Sequence, residues 1–416
     1  MLSTTDPKLK SFLPVAADSH FPIQNLPYGV FRPHSGGEPR VGAAIGEMIL
    51  DLAVLERRSL LKAPTPNGEP VFAQRWLNPL MALGRTAWKE VREQISRLLR
   101  ADEPTLRDDE ALQQAALVPM SAAELLLPVE IGDYTDFYSS KEHATNVGTM
   151  FRGPEHALPP NWLHLPIAYH GRASSVVVSG TDLHRPCGQT KADTQTTPVF
   201  GASQAVDFEL EMGCLIGPGN PLGEPIPADR ALDHVFGLAL VNDWSARDIQ
   251  RWEYVPLGPF LAKNFGTTLS PWIVTLEALE PFRAAGPRQE PPPLEYLRTS
   301  ANQAYDIELE VLLQAEGMAA PQRICASNFR YLYWNLAQQV AHHTVNGCNL
   351  RTGDLLASGT ISGSTAESRG CLLELTWGGR QPLELPGGET RRFLADGDRV
   401  TMTAWCQGDG YRVGFG

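Results

Sequence analysis

From about residue 128 onward, Gly and Pro cut the chain into short apolar stretches: SSVVVSG, DFELEMGCLIG, VFGLALVND, PWIVTLEAL, YDIELEVLLQ, CLLELTW and RVTMTAWCQG. Each has strand length, and β-branched and aromatic residues are frequent among them, so a β-dominated domain is expected there. Two helices are expected to interrupt it, near 245–254 and 328–342. The earlier part reads differently. Within residues 71–127, Trp88, Val91, Ile95, Leu98 and Leu99 recur at helical spacing with Lys89, Arg92 and Arg97 between them, which predicts the main helical block. Before it, residues 27–56 read as short strands and turns, and RVGAAIGEMILDL alternates and is broken by Gly, as in a small barrel or hairpin. A chain of 416 residues is too long for one ordinary core, which predicts two domains with a boundary near 118–128 and a mainly β, α+β fold. RAAGPRQEPPP at 283–293 reads as a surface loop.

The stretch Asp207-Phe208-Glu209-Leu210-Glu211-Met212-Gly213 places two glutamates at alternate positions among core-type side chains. Strand side chains alternate faces, so Glu209 and Glu211 share one surface, about 7 Å apart along the chain. A lone E-x-E is more often a solvated strand face than a site, and IELE at 307–310 is a second copy without other polar signals around it. Two further segments supply company. In GDYTDFYSSKEHATNVGTMFRG, residues 132–153, Asp136, Tyr134, Tyr138, His143 and Arg152 lie close in sequence. There Ser139 and Glu142 have capping-box spacing, which predicts a helix with Asp136 just before it and His143 in its first turns. In LALVNDWSARDIQRWEYVPLGPFLAKNFGTT an apolar strand ends at Asn242-Asp243, and Ser245 with Asp248 repeats the capping spacing ahead of Arg247 and Gln250. Lys263 and Thr267 follow in a loop rich in Pro and Gly.

A formal net charge of −12 argues against nonspecific nucleic-acid binding. No apolar run approaches a bilayer span, and MLSTTDPKLKSF lacks the apolar core of a secretory signal, which predicts a cytoplasmic protein without membrane attachment. The six cysteines are scattered without a C-x-x-C pair, so buried free thiols are expected rather than zinc ligands or disulfides. No G-x-S-x-G elbow is present, and neither GFGTT nor SGTISG has phosphate-loop spacing, which excludes a serine hydrolase and a nucleotide enzyme as expectations. HHTVNG at 342–347 places its histidines side by side, which does not suit one shared ligand on a helix, so they read as structural.

DYTDFYSSKEHATNVGTMFRG, NWLHLPIAYHGRASSVVVSG, DFELEMG, NDWSARDIQRWEYVPLGPFLAKNFGTT, HHTVNGCNLRTGDLLASGTISG and the closing CQGDGYRVGFG, taken in order, resemble the fumarylacetoacetate hydrolase family across essentially the whole chain. The resemblance implies a small N-terminal SH3-like barrel domain over residues 1–118 and a catalytic β-sandwich roll over 119–416. It implies a divalent metal held by Asp136, Glu209, Glu211 and Asp243, with Lys263 and Thr267 at the same centre. It implies His143 as general base, Glu374 as its orienting partner, and Arg247, Gln250 and Lys263 facing the oxyanion. Tyr138, Arg152, Tyr169, Gln250, Tyr254 and Thr360 would surround the substrate. The implied reaction is hydrolysis of a carbon–carbon bond in fumarylacetoacetate, the last step of tyrosine and phenylalanine breakdown, giving fumarate and acetoacetate. A homodimer is implied as well. The chain ends at GYRVGFG, without the longer tail of animal members, so assembly through such a tail is not expected of it.

The chemistry is consistent with these roles. Carboxylates converging at about 4 Å repel by roughly 4 kcal/mol per pair at an effective dielectric of about 20, so a cation must stand among them. An all-oxygen set without Cys or His suits Mg²⁺ or Ca²⁺, and the sequence leaves both open. A chelating dication would hold the charge that a departing carbanion brings. Two other readings stay in play. One keeps the metal site but hydrolyses acylpyruvates, decarboxylates oxaloacetate or isomerises dienols; the other is a non-catalytic binding module with a structural metal.

Overall fold

The computed structural model describes residues 3–300 and 303–416. Its fold is mixed α and β, rich in strands. Tyr28–Pro33, Arg40–Ile45, Met48–Asp51, Leu117–Pro119 and Ala123–Leu126 form a five-stranded antiparallel sheet. The hairpin of Arg40–Ile45 and Met48–Asp51 follows the Gly break read in the sequence. Ile45 pairs with Met48, and Gly46, at φ +55°, supplies the left-handed residue of the two-residue turn. The expected helical block ends at Ala116 rather than 127. Leu117 and Val118 are drawn off into the sheet by pairing with Leu50 and Ile49, which overrides local helical preference.

Helix Arg85–Leu99 buries Trp88, Val91, Ile95, Leu98 and Leu99, the stripe set out by the spacing. Arg92, four residues after Trp88 on the same face, is fully enclosed as well. Its guanidinium donates to Thr4 Oγ1 and to the carbonyls of Gln24 and Asn25 at 2.9, 2.6 and 2.5 Å, tying the N-terminal segment to the helix. Those acceptors would otherwise be buried without partners.

The second part is built on an eight-stranded mixed sheet. Its main path runs Ala168–His170, Tyr134–Phe137, Leu355–Ala357, Leu210–Ile216, Val235–Asp243, Thr267–Leu269 and Val176–Val178, with Val274–Thr275 beside Val235–Asp243. Along Val235–Asp243 successive side chains enter different cores. Phe236, Ala239 and Val241 join the N-terminal sheet and helix Arg85–Leu99, whereas Leu238 and Leu240 pack with a four-stranded sheet. That sheet contains Glu308–Gln314, Gln322–Asn328, Arg399–Gln407 and Arg412–Gly414. Covered on both faces, Val235–Asp243 is buried at every residue, which accounts for its nearly continuous apolar sequence.

Several local expectations shift. CLLELTW, expected as a strand, contains the short helix Leu372–Leu375. In PWIVTLEAL only Val274–Thr275 is strand, after which Thr275 accepts from Ala278 N and starts a short helix. The helix expected at 328–342 is a turn at Phe329–Tyr331 followed by Leu336–Thr344, capped by Asn335 and Gln338. All six cysteines are free. His343 Nε2 meets Thr135 Oγ1 at 2.9 Å and His342 Nδ1 meets the Tyr296 hydroxyl at 3.1 Å, in keeping with structural roles. Among the described residues no helix is long and apolar enough to cross a membrane.

Candidate metal centre and catalytic site

The two copies of E-x-E have opposite fates. In Glu308–Gln314, Glu308 is exposed and Glu310 pairs with Arg323 at the surface. Glu209 and Glu211 are buried. Glu209 falls just before strand Leu210–Ile216 and is held by its own N–H, which donates to Asn242 Oδ1 at 3.1 Å. Sheet register brings the other acids to the same place. Asp136 stands opposite Tyr169, and Asp243, the last residue of its strand, stands opposite Thr267. Carboxylate oxygens of Asp136, Glu209, Glu211 and Asp243 lie within 4.8 Å of one another, all four residues buried.

Their partners are unevenly shared. Lys263 Nζ donates to Glu209 Oε2 at 2.5 Å and to Asp243 Oδ2 at 2.8 Å. Thr267 Oγ1 donates to Asp243 Oδ1 at 3.0 Å. The Tyr169 hydroxyl lies 2.9 Å from Asp136 Oδ2 and 2.7 Å from Asp243 Oδ2, and its one proton serves one of them at a time. Arg247 Nη1 meets Glu209 Oε1 at 2.7 Å. Asp136 Oδ1 and Glu211 Oε1, by contrast, are buried with no hydrogen-bond donor. The charges follow. Burial pushes the Glu209 carboxyl up, but Lys263, Arg247 and His143 outweigh it and hold the group well below the usual carboxylate range. Asp136 and Glu211 are driven the other way, by burial and then by neighbouring carboxylates. Bare buried carboxylate oxygens beside ionised neighbours ask for a positive charge at their focus, and an all-oxygen donor set fits a hard dication.

Lys263 and Thr267, expected at the metal, act here as donors. An ammonium has no lone pair to offer, and burial, which would lower the Lys263 pKa, is outweighed by Asp243 and Glu209, so the pKa rises. Both residues hold the clustered carboxylates in place. Glu211 is held by the backbone. Gly359 N–H donates to its Oε2 at 3.1 Å, and Gly359 sits at φ +76° where a Cβ would lie 2.1 Å from the Phe137 carbonyl oxygen. Gly359→Ala should therefore weaken divalent binding about 10-fold, read by calorimetry; unchanged affinity would show that this backbone contact does not set Glu211.

The second cluster stands on helix Lys141–Arg152. Its cap is Ser140, whose Oγ accepts from His143 N at 3.3 Å, and not Ser139, which is buried and accepts from Gln339. Ser140 has extended backbone and takes the His143 N–H, whereas Gln339 engages the Ser139 hydroxyl, so the Ser139–Glu142 spacing coincides with the helix start without making it. His143 and Glu374 are buried, with Nδ1 to Oε2 at 2.5 Å. Asn146, Ser362 and Cys371 donate to the same carboxylate. Burial alone would raise Glu374, but His143 and these donors bring it below its ordinary value. An ionised Glu374 accepts from Nδ1–H, which leaves Nε2 as the lone-pair nitrogen of His143. The Tyr138 ring stands edge-on to the imidazole, centroids 5.3 Å apart.

Arg247 opens helix Arg247–Glu253, but without the expected Ser245 and Asp248 cap. Ser245 Oγ donates to the Asp243 carbonyl, while Asp248 accepts from Ser203 and Gln204 N. Arg247 Nη1 also donates to Gln250 Oε1 at 3.1 Å, and its buried Nη2 has no acceptor. Thr360 Oγ1 is likewise buried and unpartnered. The remaining expected residues are not drawn into this network. Arg152 donates to the carbonyls of His156 and Ala157, and Tyr254, at the end of its helix, is 39% exposed.

Asp207 was not anticipated as a site residue. It is buried, shares the alternation of Glu209 and Glu211, and binds Arg247 Nε at 2.9 Å. The same period of two that picked out the glutamates contained this signal.

The comparisons agree with the geometry. The family pattern described as fumarylacetoacetate (FAA) hydrolase C-terminal matches residues 133–412, and the one described as fumarylacetoacetase N-terminal matches 24–128. The chain is 58% identical to fumarylacetoacetase of Bos taurus and 57% identical to that of Homo sapiens, in each case over 98% of this chain and 97% of the relative. The crystal structure of Cg1458 with inhibitor shares the fold at 15% identity and a TM-score of 0.50, covering 94% of this chain and 97% of that one. With matched patterns over both parts and this identity along nearly its full length, the chain belongs to the fumarylacetoacetate hydrolase family.

Proposed function

We infer that this chain is a carbon–carbon bond hydrolase that converts fumarylacetoacetate to fumarate and acetoacetate. The observation that carries this reading is 58% identity over 98% of the chain to a fumarylacetoacetase. The site chemistry fits it. Asp136, Glu209, Glu211 and Asp243 would hold Mg²⁺ or Ca²⁺, with Lys263 and Thr267 fixing the carboxylates. Bound there, the dication would stabilise the negative charge of the departing 1,3-dicarbonyl fragment.

The residues of the chain supply the rest. His143 Nε2 takes a proton from water attacking the carbonyl beside the fumaryl double bond, while Glu374 keeps the imidazole in the required tautomer and balances its charge. Arg247 Nη2, the unpartnered donor, faces the developing oxyanion together with Gln250, whose Oε1 is engaged by Arg247 and whose amide nitrogen is left to donate. Lys263 adds its charge from the metal side. Tyr138, Tyr169, Tyr254 and Thr360 line the substrate, and Arg152 exchanges its loop carbonyls for a substrate carboxylate.

Loss of diketone absorbance tests this directly. With Mg²⁺ or Ca²⁺ present, fumarylacetoacetate should be consumed; exhaustive chelation should reduce turnover by about 100-fold or more, and adding back the ion should restore it. Turnover that survives complete metal removal would reject the role given to the carboxylates. Turnover of acylpyruvates instead of fumarylacetoacetate would move the chain to another reaction at the same centre.

The reading extends to a cytoplasmic enzyme acting on a small diketo acid as a homodimer. The exposed run Trp252, Tyr254, Val255, Leu257, Phe260 and Leu261 supports the last point, being apolar surface that a second copy would cover. It also takes the finer architecture of an SH3-like barrel ahead of a β-sandwich roll. The division between the two parts is taken within 118–128, where strands Leu117–Pro119 and Ala123–Leu126 join the first sheet.

A further inference from the structure

We propose that Asp207 is a positioning residue that locks the oxyanion donor Arg247 to the short helix carrying Glu374, so that both halves of the hydrolytic apparatus are set by one carboxylate. The proposal rests on the roles given above to Arg247, His143 and Glu374. Asp207 is fully buried. Its Oδ2 accepts from Arg247 Nε at 2.9 Å and from Leu373 N at 2.9 Å, and its Oδ1 accepts from Leu372 N at 2.7 Å. Leu372 and Leu373 are the first two residues of helix Leu372–Leu375, and Glu374 is the third.

Neighbouring contacts fix the carboxylate in turn. Asp207 pairs with Ser245 in a two-residue ladder, and Arg247 N donates to the Ala205 carbonyl, so Asp207 and Arg247 approach from adjoining strands. Leu210 N donates to the Gly370 carbonyl, and Gly370 N donates to Ser362 Oγ, which donates on to Glu374 Oε2. Residues 207–210 therefore grip the 370–373 backbone at both ends of the loop that leads to Glu374. Arg247, held at Nε by Asp207 and at Nη1 by Glu209, cannot turn, and Nη2 is left pointing to an acceptor that the protein does not provide. Asp207 touches none of the reacting atoms in this scheme; it acts through Arg247 and Glu374.

Three donors converge on Asp207, and asparagine offers one oxygen plus an NH₂ that must face at least one of them. Asp207→Asn should lower kcat about 10- to 100-fold and change KM less than about 3-fold, because donors acting in the transition state are displaced rather than substrate contacts removed. Combined with Glu374→Gln, it should cost less than the product of the two single losses, since both act on the same unit. Divalent affinity by calorimetry should stay within about 3-fold of the parent. Where Asp207→Asn fails to fold, Asp207→Glu keeps the charge beside Arg247 and displaces the two N–H contacts, and the same fall in kcat is expected. A kcat within about 2-fold of the parent in a folded variant, or losses that multiply fully with Glu374→Gln, would overturn the proposal.

Discussion

Replacing His143 with alanine is expected to lower kcat by about 10²- to 10⁴-fold while the divalent ion binds as before. The reason is that no hydrogen bond joins the imidazole to the four carboxylates, and its charge acts on Glu209 only after those of Lys263 and Arg247. His143 contacts Glu374 and the Tyr138 ring but donates to none of the four clustered carboxylates, whose own partners are Lys263, Thr267, Tyr169, Arg247 and Gly359. Removing the imidazole takes away the proton acceptor and leaves Glu374 with Asn146, Ser362 and Cys371 as donors, so the buried carboxylate is not orphaned and the fold should persist. Steady-state kinetics beside calorimetry with Mg²⁺ and Ca²⁺ reads both quantities. Full activity in the variant would remove histidine from the base role, whereas loss of ion binding would mean that the clusters are not separable.

Asp243→Asn is expected to do the opposite, reducing divalent affinity by about 100-fold or more and taking turnover down with it. Asp243 is the most heavily engaged of the four acids, since Lys263, Thr267 and Tyr169 all direct donors at it. An asparagine there removes one ligand charge and turns an NH₂ towards at least one of those donors. Lys263 would then keep only Glu209 as an anionic partner. Calorimetry on the variant, with turnover measured at raised ion concentration, checks this. An unchanged affinity would show that Asp243 is not a ligand, and recovery of turnover with excess ion would show that the loss runs through binding rather than chemistry.

Periodicity and motif together made much of the site legible before any coordinates. The alternation in DFELEMG placed Glu209 and Glu211 on one face, and the end of the apolar strand at Asp243 put a third acid where a strand stops. The helical stripe of Arg85–Leu99 was equally plain. What failed were judgements that depend on a neighbour distant in sequence. Arg92 stands four residues after Trp88, on the apolar stripe, but helix spacing cannot reveal that Thr4, Gln24 and Asn25 supply the acceptors for its guanidinium. Ser139 looked like a cap because the spacing suited it, while Gln339, two hundred residues away, had claimed its hydroxyl. CLLELTW looked like a strand because two backbone N–H groups bound by Asp207 do not show in the local pattern.

Residue types and the shared face of alternate residues could be read without coordinates, because alternation along a strand follows from backbone geometry alone. Alternation alone did not separate the acids of DFELEMG from those of IELE, which share the pattern; only the surrounding motifs favoured the former. Whether each acid is buried depends on sheet order. Sheet order brings Asp136, Glu211 and Asp243 from separate strands to one buried focus, whereas Glu308 is left facing solvent. Burial removes the water that would otherwise screen and solvate each carboxylate, and with it the option of standing alone; at the surface the same pattern remains a solvated strand face.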